Sequence, residues 1–329
     1  MRILSLGGTH HVGRAVVEAA IAAGHEVTTV NRGLTGRQTP GVHARTADRT
    51  DPDALRAALG EDGWDAVVDT WSGAPRVVRD AANALAGRTG HYTYISSRSV
   101  YAWPLPARLD ESGAVVDGDP DSDEADDYAA AKRGGELAAE RALTGCPVLL
   151  ARAGLILGPY EDVGRLPWWL RRIERGGRVL APGPADRPLQ YIDARDLAAF
   201  ALRAAREGVG GAVNTVSRPG HATMQELLAA CIAATGATAE LVWAAPAAIA
   251  EAGIAQWTEL PIWTDPEGDA AGLHDGDVEC AFAAGMSCRP IEETVADTWA
   301  WLQSEGDPQP QHPVGLDADR EAAVLATLR

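Results

Sequence analysis

The chain has 329 residues, of which 46% are hydrophobic, and this length suits one large domain with a second, smaller one. A formal net charge of -17 argues against general affinity for nucleic acid, because such binding depends on neutralising phosphates. Apolar runs stay well below the roughly 18 residues of a membrane span and Met1 leads directly into a strand, so we expect a cytoplasmic protein without a membrane segment or signal peptide.

A glycine-rich turn follows the first predicted strand. Arg2 to Leu6 predict a buried strand, and a helix from Arg14 to Ala23 ends at Gly24. The next strand, Glu26 to Val30, completes a strand-helix-strand unit of about thirty residues, as a dinucleotide site requires. Because glycines let the backbone approach a pyrophosphate and the helix start supplies amide donors, the turn predicts cofactor binding. Its predicted cofactor residues are Gly7, Gly8, Thr9, His10, His11, Val12 and Gly13, with His10 standing where the usual G-x-x-G-x-x-G pattern has glycine.

Strands and helices then alternate as far as residue 152. We predict, in chain order, a strand from Val42 to Ala47, a helix opened by Asp51 and Pro52, a strand from Ala66 to Thr70, a helix from Pro75 to Leu85, a strand from His91 to Ser96, a helix carrying Tyr128 and a strand from Pro147 to Arg152. This alternation predicts an α/β fold with a Rossmann-like, doubly wound parallel sheet. Ligands of such sheets bind at the carboxyl ends of strands, so Thr70 and the adjacent Trp71 are also predicted to bind the cofactor.

The end of the second predicted strand bears on the choice between NAD(H) and NADP(H). An acidic residue there would bind the ribose 2′-hydroxyl of NAD, whereas an arginine can pair with the 2′-phosphate of NADP. The chain has Asn31 and Arg32 at this point, so we favour NADP(H) over NAD(H). The alternative is that Arg32 faces solvent and Asn31 binds an unphosphorylated ribose.

Tyr128 and Lys132 lie four residues apart on a predicted helix, and Ser97 ends a preceding strand. Residues at this spacing share a helix face, so we expect the Lys132 ammonium to lower the pKa of the Tyr128 phenol from its ordinary value of about 10. Such a phenol can exchange a proton at neutral pH, and Ser97 can orient the substrate oxygen. Tyr-x-x-x-Lys alone is an ordinary helical pattern, and the glycine-rich turn is what favours the catalytic interpretation.

Three segments carry a family resemblance: Leu6 to Gly13, Val30 to Gly33, and Ile95 to Tyr101. Over most of its length the chain resembles the extended short-chain dehydrogenase/reductases of the NAD-dependent epimerase/dehydratase group. Within that group it is most similar to the branch of chloroplast stem-loop-binding proteins and bacterial reductases. Matches spread across the chain are more specific than any single motif.

The resemblance implies roles for individual residues. Ser97, Tyr128 and Lys132 would form the catalytic triad, with Lys132 also holding the nicotinamide ribose. Asp48, after the third strand, would hold the adenine amine of the cofactor. A homodimer is a further hypothesis, formed through the helix that carries Tyr128 and the helix from Pro75 to Leu85.

The resemblance also implies a smaller substrate domain, and the less regular second half of the sequence agrees with one. We expect a dinucleotide-binding domain of residues 1–160 and 188–218, a discontinuous α/β substrate domain of residues 161–187 and 219–305, and a tail of residues 306–329 with a short helix. Gly211 to Val216 predict a strand that returns to the main sheet. Thr223 and Glu226 have capping-box spacing, and Pro290 opens another helix.

The segment between Tyr160 and Gln190 carries six arginines and four acids, a local excess of positive charge in an acidic chain. In the related proteins this region faces the substrate, so we expect a small, anionic substrate such as a nucleotide sugar. A solvated helix face is the alternative interpretation. The predicted substrate residues are Trp103, Arg165, Trp168, Trp169 and Arg187, because a flat part of a substrate can stack on tryptophan and an anionic part can pair with arginine.

No metal site is predicted. The acidic loop 117–127 resembles the start of a calcium loop but lacks its glycine and its final glutamate, so we interpret the loop as solvated. The four cysteines show no C-x-x-C spacing and are expected to be reduced thiols.

Together these features predict an oxidoreductase that transfers hydride between a nicotinamide and a carbinol or carbonyl carbon of a nucleotide-sugar or secondary-metabolite substrate. Arg98 and Ser99 stand where related dehydratases carry acids, which disfavours dehydration. Two alternatives stay open: an NDP-sugar epimerase with tightly bound NAD, and a non-catalytic RNA-binding relative. The intact triad and the acidic charge make the second less favoured.

Overall fold

The computed structural model describes residues 1–34 and 39–328. The β-strands are, in chain order, β1 (Arg2–Leu6), β2 (Glu26–Asn31), β3 (His43–Thr46), β4 (Ala66–Asp69), β5 (Tyr92–Ser97), β6 (Val148–Ala153), β7 (Leu155–Leu157), β8 (Gly177–Pro182), β9 (Pro188–Leu189), β10 (Tyr191–Asp193), β11 (Gly211–Thr215), β12 (Ala222–Thr223), β13 (Ala239–Ala244), β14 (Gln256–Trp257) and β15 (Leu260–Pro261). The α-helices are α1 (His11–Ala22), α2 (Pro52–Leu59), α3 (Pro75–Leu85), α4 (Tyr128–Ala142), α5 (Arg165–Glu174), α6 (Ala194–Glu207), α7 (Met224–Thr235), α8 (Pro246–Glu251), α9 (Glu279–Ala283), α10 (Ile291–Glu305) and α11 (Ala318–Thr327).

Seven of the described strands form the central sheet, all paired in parallel, in the order β3-β2-β1-β4-β5-β6-β11. The predicted Rossmann-like, doubly wound α/β fold is confirmed, including the return of the strand near residue 211. The strand order reverses between β1 and β4, and ligands of open α/β sheets bind beside such a reversal. Gly7 follows β1 and Thr70 follows β4, so both residues lie at this point.

Apolar side chains cover both faces of the central sheet. On one face α1 packs on α6, and Val16 and Leu197 belong to the buried cluster there. On the other face α3 packs on α4, and Val78 and Ala138 are buried between the helices and the sheet. The predicted cap of α2 is confirmed, because the Asp51 side chain accepts hydrogen bonds from two amides of the first turn.

A second hydrophobic core is formed mainly by the chain after Gly154. Helices α5, α7 and α10 pack together in it, and the parallel pair β8 and β13 lies beside them. The predicted capping box is confirmed: Thr223 caps α7 and Glu226 bonds back to the Thr223 amide at 2.7 Å. The charge of Arg165, the first residue of α5, acts on Tyr128, the first residue of α4.

The C-terminal segment 306–328 lies against this second core. Arg172 on α5 forms a buried ion pair with Glu321 on α11, and Glu321 also accepts a 3.0 Å hydrogen bond from the amide of Leu180. Arg178 donates to the carbonyl oxygen of Leu325 at 3.0 Å. The predicted terminal helix therefore packs on α5 and β8.

The domain boundaries expected from the sequence stay a prediction, although β11 lies in the central sheet and α6 packs on α1. In the part of the chain that the structure describes, we find no helix long and apolar enough to cross a membrane.

Candidate active site

The turn after β1 brings backbone segments close together. Gly7 and Gly8 have φ angles of 128° and 102°, a region that favours glycine. A Cβ at Gly13 would lie 2.7 Å from the amide nitrogen of Gly8, so a larger residue does not fit there. His10 is the N-cap of α1, and its side chain makes no capping hydrogen bond within the described residues. The first amides of α1 are therefore available to an anion such as a pyrophosphate.

A cavity of about 240 Å³ opens beside this turn, at the carboxyl ends of β1, β2 and β4. The predicted cofactor residues that line it are Gly7, Thr9, His10, Asn31, Arg32, Asp48, Thr70 and Trp71. The residues predicted to bind the cofactor that are outside its lining are Gly8, His11, Val12, Gly13, Tyr128 and Lys132. A cavity next to uncapped helix amides and closely approaching glycines offers hydrogen-bond donors to the phosphates of a dinucleotide.

His11 lies at the start of α1 but turns away from the cavity. Burial lowers the pKa of its imidazole, while the neighbouring Asp162 carboxylate and a bond to the backbone of Leu157 act in the opposite direction. Its Nε2 is buried without a hydrogen-bond partner among the described residues. His11 therefore joins the cofactor turn to the loop before α5.

Polar side chains surround the cavity at the ends of β2 and β3. The Oδ1 of Asn31 accepts a 2.9 Å hydrogen bond from the amide of Gly33. Hydrogen bonds from the amide and the hydroxyl of Thr50 lower the pKa of Asp48, and the positive charge of Arg32 lowers it further. Arg32 and Asp48 therefore act on each other at the same end of the cavity.

A buried ion pair at this cavity escaped the sequence-based prediction. Two guanidinium nitrogens of Arg49 donate to the two carboxylate oxygens of Asp69, at 2.7 Å each. The hydroxyl of Tyr92 and the amide of Trp71 donate to the same carboxylate at 2.6 and 2.9 Å. Burial alone would raise the pKa of Asp69, but the charge and hydrogen bonds of Arg49 hold it below its ordinary value. The pair stiffens the cavity wall, and the only signals in the sequence were the position of Arg49 beside Asp48 and of Asp69 at a strand end.

The two predicted catalytic hydroxyls are neighbours. Ser97 ends β5, where its Oγ accepts a 3.1 Å hydrogen bond from the amide of Ser99, and Tyr128 begins α4. The Tyr128 side chain is 48% exposed, so a substrate can reach it. Displacement of water by the surrounding protein raises the pKa of Tyr128, whereas the Ser97 hydroxyl and the positive charge of Arg165 act to lower it. The phenol is therefore protonated at neutral pH.

Lys132 lies beneath Tyr128 on the same face of α4. Its Nζ donates to the carbonyl oxygens of Trp71 and Ile95, at 2.6 and 2.7 Å, and lies 6.0 Å from the centre of the Tyr128 ring. Burial lowers the pKa of Lys132 to about 7. The prediction that Lys132 lowers the pKa of Tyr128 is wrong for this structure, because the ammonium is itself desolvated and directed at two carbonyl groups.

A buried carboxylate one turn beyond Lys132 also escaped prediction. Glu136 accepts hydrogen bonds from Arg152 at 2.9 and 3.0 Å, from Ser96 at 2.7 Å and from Arg133 at 2.8 Å. Ser96 adjoins Ser97 on β5, and Arg152 lies on β6. The network therefore fixes α4, which carries Tyr128 and Lys132, against the strands that it covers.

The predicted tryptophans do not form one binding surface. Trp103 is exposed, whereas Trp169 is wholly buried and donates a 2.8 Å hydrogen bond to the carbonyl oxygen of Pro261. Trp168 packs edge-on against Trp169, with ring centres 4.7 Å apart, and also abuts Gly315 of the C-terminal segment. Trp169 is therefore a core residue that a substrate cannot stack on, which corrects the prediction.

The arginines of the segment between Tyr160 and Gln190 differ in what they contact. Arginines that hold the C-terminal segment, through side chains or backbone carbonyls, are Arg171, Arg172 and Arg178. Arg187 donates to the carbonyl oxygen of Ala271 at 3.1 Å. Of the predicted substrate residues, Arg165 is the one whose charge acts on Tyr128, and its Cζ lies 4.7 Å from the centre of the Trp257 ring. Trp257 was not predicted, because no sequence pattern linked it to α5.

The described residues contain no group of three or more His, Cys, Asp or Glu side chains that could hold a metal ion.

Comparisons with known proteins identify the family. The chain is 26% identical over 253 residues to the chloroplast stem-loop binding protein of 41 kDa b of Arabidopsis thaliana, a match covering 71% of this chain and 63% of that protein. It is 40% identical over 70 residues to the 2'-dehydrokanamycin reductase of Streptomyces kanamyceticus, covering 21% of this chain and 20% of the reductase. The chain thus spans less than two thirds of the length of either curated relative.

A solved structure shares the fold. The Bordetella bronchiseptica enzyme WbmG, in complex with NAD and UDP, aligns with a TM-score of 0.66 and 17% identity, covering 92% of this chain and 94% of that chain. Residues 3–86 and 73–216 match the NAD dependent epimerase/dehydratase family, which is more than half of the chain. The protein therefore belongs to the NAD dependent epimerase/dehydratase family.

Proposed function

We propose that the protein is an NAD(P)-dependent oxidoreductase acting between a carbinol and a carbonyl carbon, with Ser97, Tyr128 and Lys132 as its catalytic residues. One observation carries the proposal: the Nζ of Lys132 bonds to the carbonyl oxygen of Trp71, which lines the cavity, and to that of Ile95, two residues before Ser97. A single ammonium thus joins the wall of the cofactor cavity to the strand that carries the catalytic hydroxyl.

The chain's own residues supply the proton chemistry. When bound, the dinucleotide supplies or accepts the hydride at its nicotinamide ring. The protonated phenol of Tyr128 donates its proton to the developing oxyanion of a carbonyl substrate, and accepts it back in the reverse direction. The Ser97 hydroxyl donates a hydrogen bond to the same substrate oxygen and fixes its direction. Lys132 has a pKa of about 7, so its ammonium can replace the proton that Tyr128 gives up.

Dehydration is disfavoured by the residue that follows Ser97. Arg98 is buried, and its guanidinium donates to the carbonyl oxygen of Leu273 at 2.7 Å and to Gln190 at 3.3 Å. A guanidinium held in this way cannot replace the carboxylic acid that would protonate a leaving hydroxyl.

We favour NADP(H) as the cofactor. Arg32 is exposed at the end of β2 and lines the cavity, and Asn31 beside it is uncharged. The measurement is the ratio of NADPH to NADH dissociation constants in the wild type and in Arg32→Ala. We expect a preference for NADPH that falls at least about tenfold in the variant, because one charged hydrogen bond contributes about 1.5 to 3 kcal/mol. Equal affinity of the wild type for both dinucleotides would assign NAD(H).

For the substrate we propose a small molecule of the nucleotide-sugar or secondary-metabolite class. WbmG with its bound UDP supports the first, and the 2'-dehydrokanamycin reductase supports the second. A cytoplasmic homodimer formed through α3 and α4, and the domain division given above, belong to the same proposal.

An NDP-sugar epimerase with retained NAD is the second candidate, favoured by the family that the chain matches. The experiment that separates the two is extraction of the dinucleotide that co-purifies, with its oxidation state. Net redox turnover is supported if the bound NADP(H) exchanges freely and if the absorbance of the reduced nicotinamide changes when substrate is added. Retained NAD with interconversion of sugar epimers supports the epimerase. Binding of structured RNA with a steep salt dependence, without either activity, would instead assign the function of an RNA-binding relative.

A further inference from the structure

Arg165 and Trp257 form a cationic site beside Tyr128 that the proton chemistry does not use. We propose that this pair binds a carboxylate of the substrate, close to the carbon that exchanges hydride. The inference rests on the proposed oxidoreductase function and adds a substrate class, an acidic sugar or a related hydroxy or keto acid.

The first support is the way in which Arg165 is held. It begins α5, is half-buried, and its Cζ lies 4.7 Å from the centre of the Trp257 ring. Stacking on an aromatic face leaves the N–H edge of a guanidinium available for two parallel hydrogen bonds. Across residues 1–34 and 39–328, no carboxylate oxygen lies within 4.0 Å of this guanidinium and no acceptor bonds to it, although the buried Glu161 carboxylate acts on its charge from a longer distance. A partly desolvated cation of this kind gains most from an anionic ligand.

The second support is the chemistry of the neighbouring helix end. The two carboxylate oxygens of Glu161 accept hydrogen bonds from the amides of Arg165 and Leu166, at 2.6 and 3.2 Å. The helix amides that a phosphate group would use are therefore occupied. What is left is one guanidinium edge with two donors, which matches a planar, singly charged carboxylate.

The third support is position. The charge of Arg165 acts both on Tyr128, the first residue of α4, and on His11 at the start of α1, so the guanidinium lies within electrostatic reach of both. Neither Arg165 nor Trp257 lines the dinucleotide cavity. The pair therefore lies outside the lining of that cavity, and we assign it to the substrate rather than to the adenosine half of the cofactor.

Trp257 is held in place by the backbone around it. It has a φ of 67°, which is uncommon for a residue with a Cβ, and its amide donates a 3.0 Å hydrogen bond to the carbonyl oxygen of Trp263. Such strained positions persist where the surrounding structure fixes them, and they concentrate at ligand sites.

The test compares two probes that differ in one group. The full-length protein, loaded with its dinucleotide, is titrated calorimetrically with UDP-glucuronate and with UDP-glucose, which carries a hydroxymethyl group in place of the carboxylate. We expect the wild type to bind UDP-glucuronate at least about tenfold more tightly, from one charged bidentate contact. Arg165→Gln should equalise the two affinities, and Arg165→Lys should keep part of the preference. Arg175→Gln, exposed at the end of the same helix, is the matched control and should leave the ratio unchanged.

Equal affinities in the wild type, binding of neither probe, or a preference that survives Arg165→Gln overturns the carboxylate site. A loss of dinucleotide affinity in Arg165→Gln with an unchanged probe ratio also overturns it, because the guanidinium would then serve the cofactor. Hydride transfer that persists beside any of these results leaves the proposed oxidoreductase function standing and rejects the carboxylate site alone.

Discussion

Lys132 donates a 2.6 Å hydrogen bond to the carbonyl oxygen of Trp71, which lies in the wall of the dinucleotide cavity. The ammonium thereby couples the helix that carries Tyr128 to the carboxyl end of β4. Burial lowers the pKa of Lys132 to about 7, so its proton is exchangeable near neutral pH. The raised pKa of Tyr128 keeps its phenol protonated at neutral pH, while the Lys132 ammonium below it exchanges its proton in that range.

Because the pKa of Lys132 is lowered in the folded protein, we expect the free energy of unfolding to depend on pH. The substitution Lys132→Met should remove this dependence. The pKa is 10.5 ordinarily and about 7 in the fold, so between these values the unfolded chain binds more protons than the folded one. Stability from this group therefore rises with pH across that window, by up to about 1.4 kcal/mol per pH unit. The measurement is the difference in free energy of unfolding in urea between the wild type and Lys132→Met at several pH values from 7 to 10. Parallel curves for the two proteins would contradict the prediction.

The buried His274 should make the folded protein less stable at acidic pH, independently of Lys132. Burial lowers its pKa from 6.5 to about 4, and its ring accepts a hydrogen bond from the Gln190 amide at 3.1 Å and bonds to the carbonyl oxygen of Ile262 at 3.1 Å. The unfolded chain binds the extra proton between these pKa values, so stability is complete above pH 6.5 and falls as the pH drops toward 4. His274→Gln should lose about 1 to 3 kcal/mol at neutral pH and show a flatter acid limb. Thermal unfolding of both proteins from pH 4 to 7 measures this, and an unchanged acid limb in the variant would refute it.

We expect the free energy of unfolding to fall strongly when the charge of Glu136 is removed. Glu136→Gln would leave the Arg152 guanidinium buried without an anion, which costs about 3 to 5 kcal/mol. Ser96→Ala, which removes one 2.7 Å hydrogen bond to the same carboxylate, should cost only about 1 kcal/mol. Urea unfolding of both variants gives the comparison. Similar, small losses in the two variants would mean that the pair does not hold α4 in place.

The sequence predicted most of the fold because its signals are local. Helix α3 spans Pro75–Leu85 as expected, since proline at a helix start and apolar spacing need no tertiary information. Strand ends shifted by about one residue, as β5 does by ending at Ser97, because hydrogen-bonding partners decide where a strand stops. The glycine turn, Tyr128 and Lys132 were recognisable for the same reason, their spacing along the chain.

The rest of the site depends on contacts between distant segments. Arg49 with Asp69, and Arg165 with Trp257, pair across 20 and 92 residues of sequence, so no periodic pattern reveals them. The expected effect of Lys132 on the pKa of Tyr128 failed for a similar reason, because desolvation by the whole fold outweighs spacing on one helix. Trp169 was likewise expected to border the substrate, from the resemblance to related proteins, and is buried in the second core.

Tyr128→Phe provides the most direct test of the proposed chemistry. The measurement is the single-turnover rate of deuteride transfer from a labelled reduced dinucleotide to the carbonyl substrate that turns over fastest, with the dinucleotide dissociation constant measured in parallel. We expect the rate to fall by about 100-fold to 10,000-fold, because the proton donor is lost, while dinucleotide affinity changes little. Deuteride transfer in the phenylalanine variant at the wild-type rate, with cofactor still bound, would contradict the assignment of Tyr128 as the proton donor.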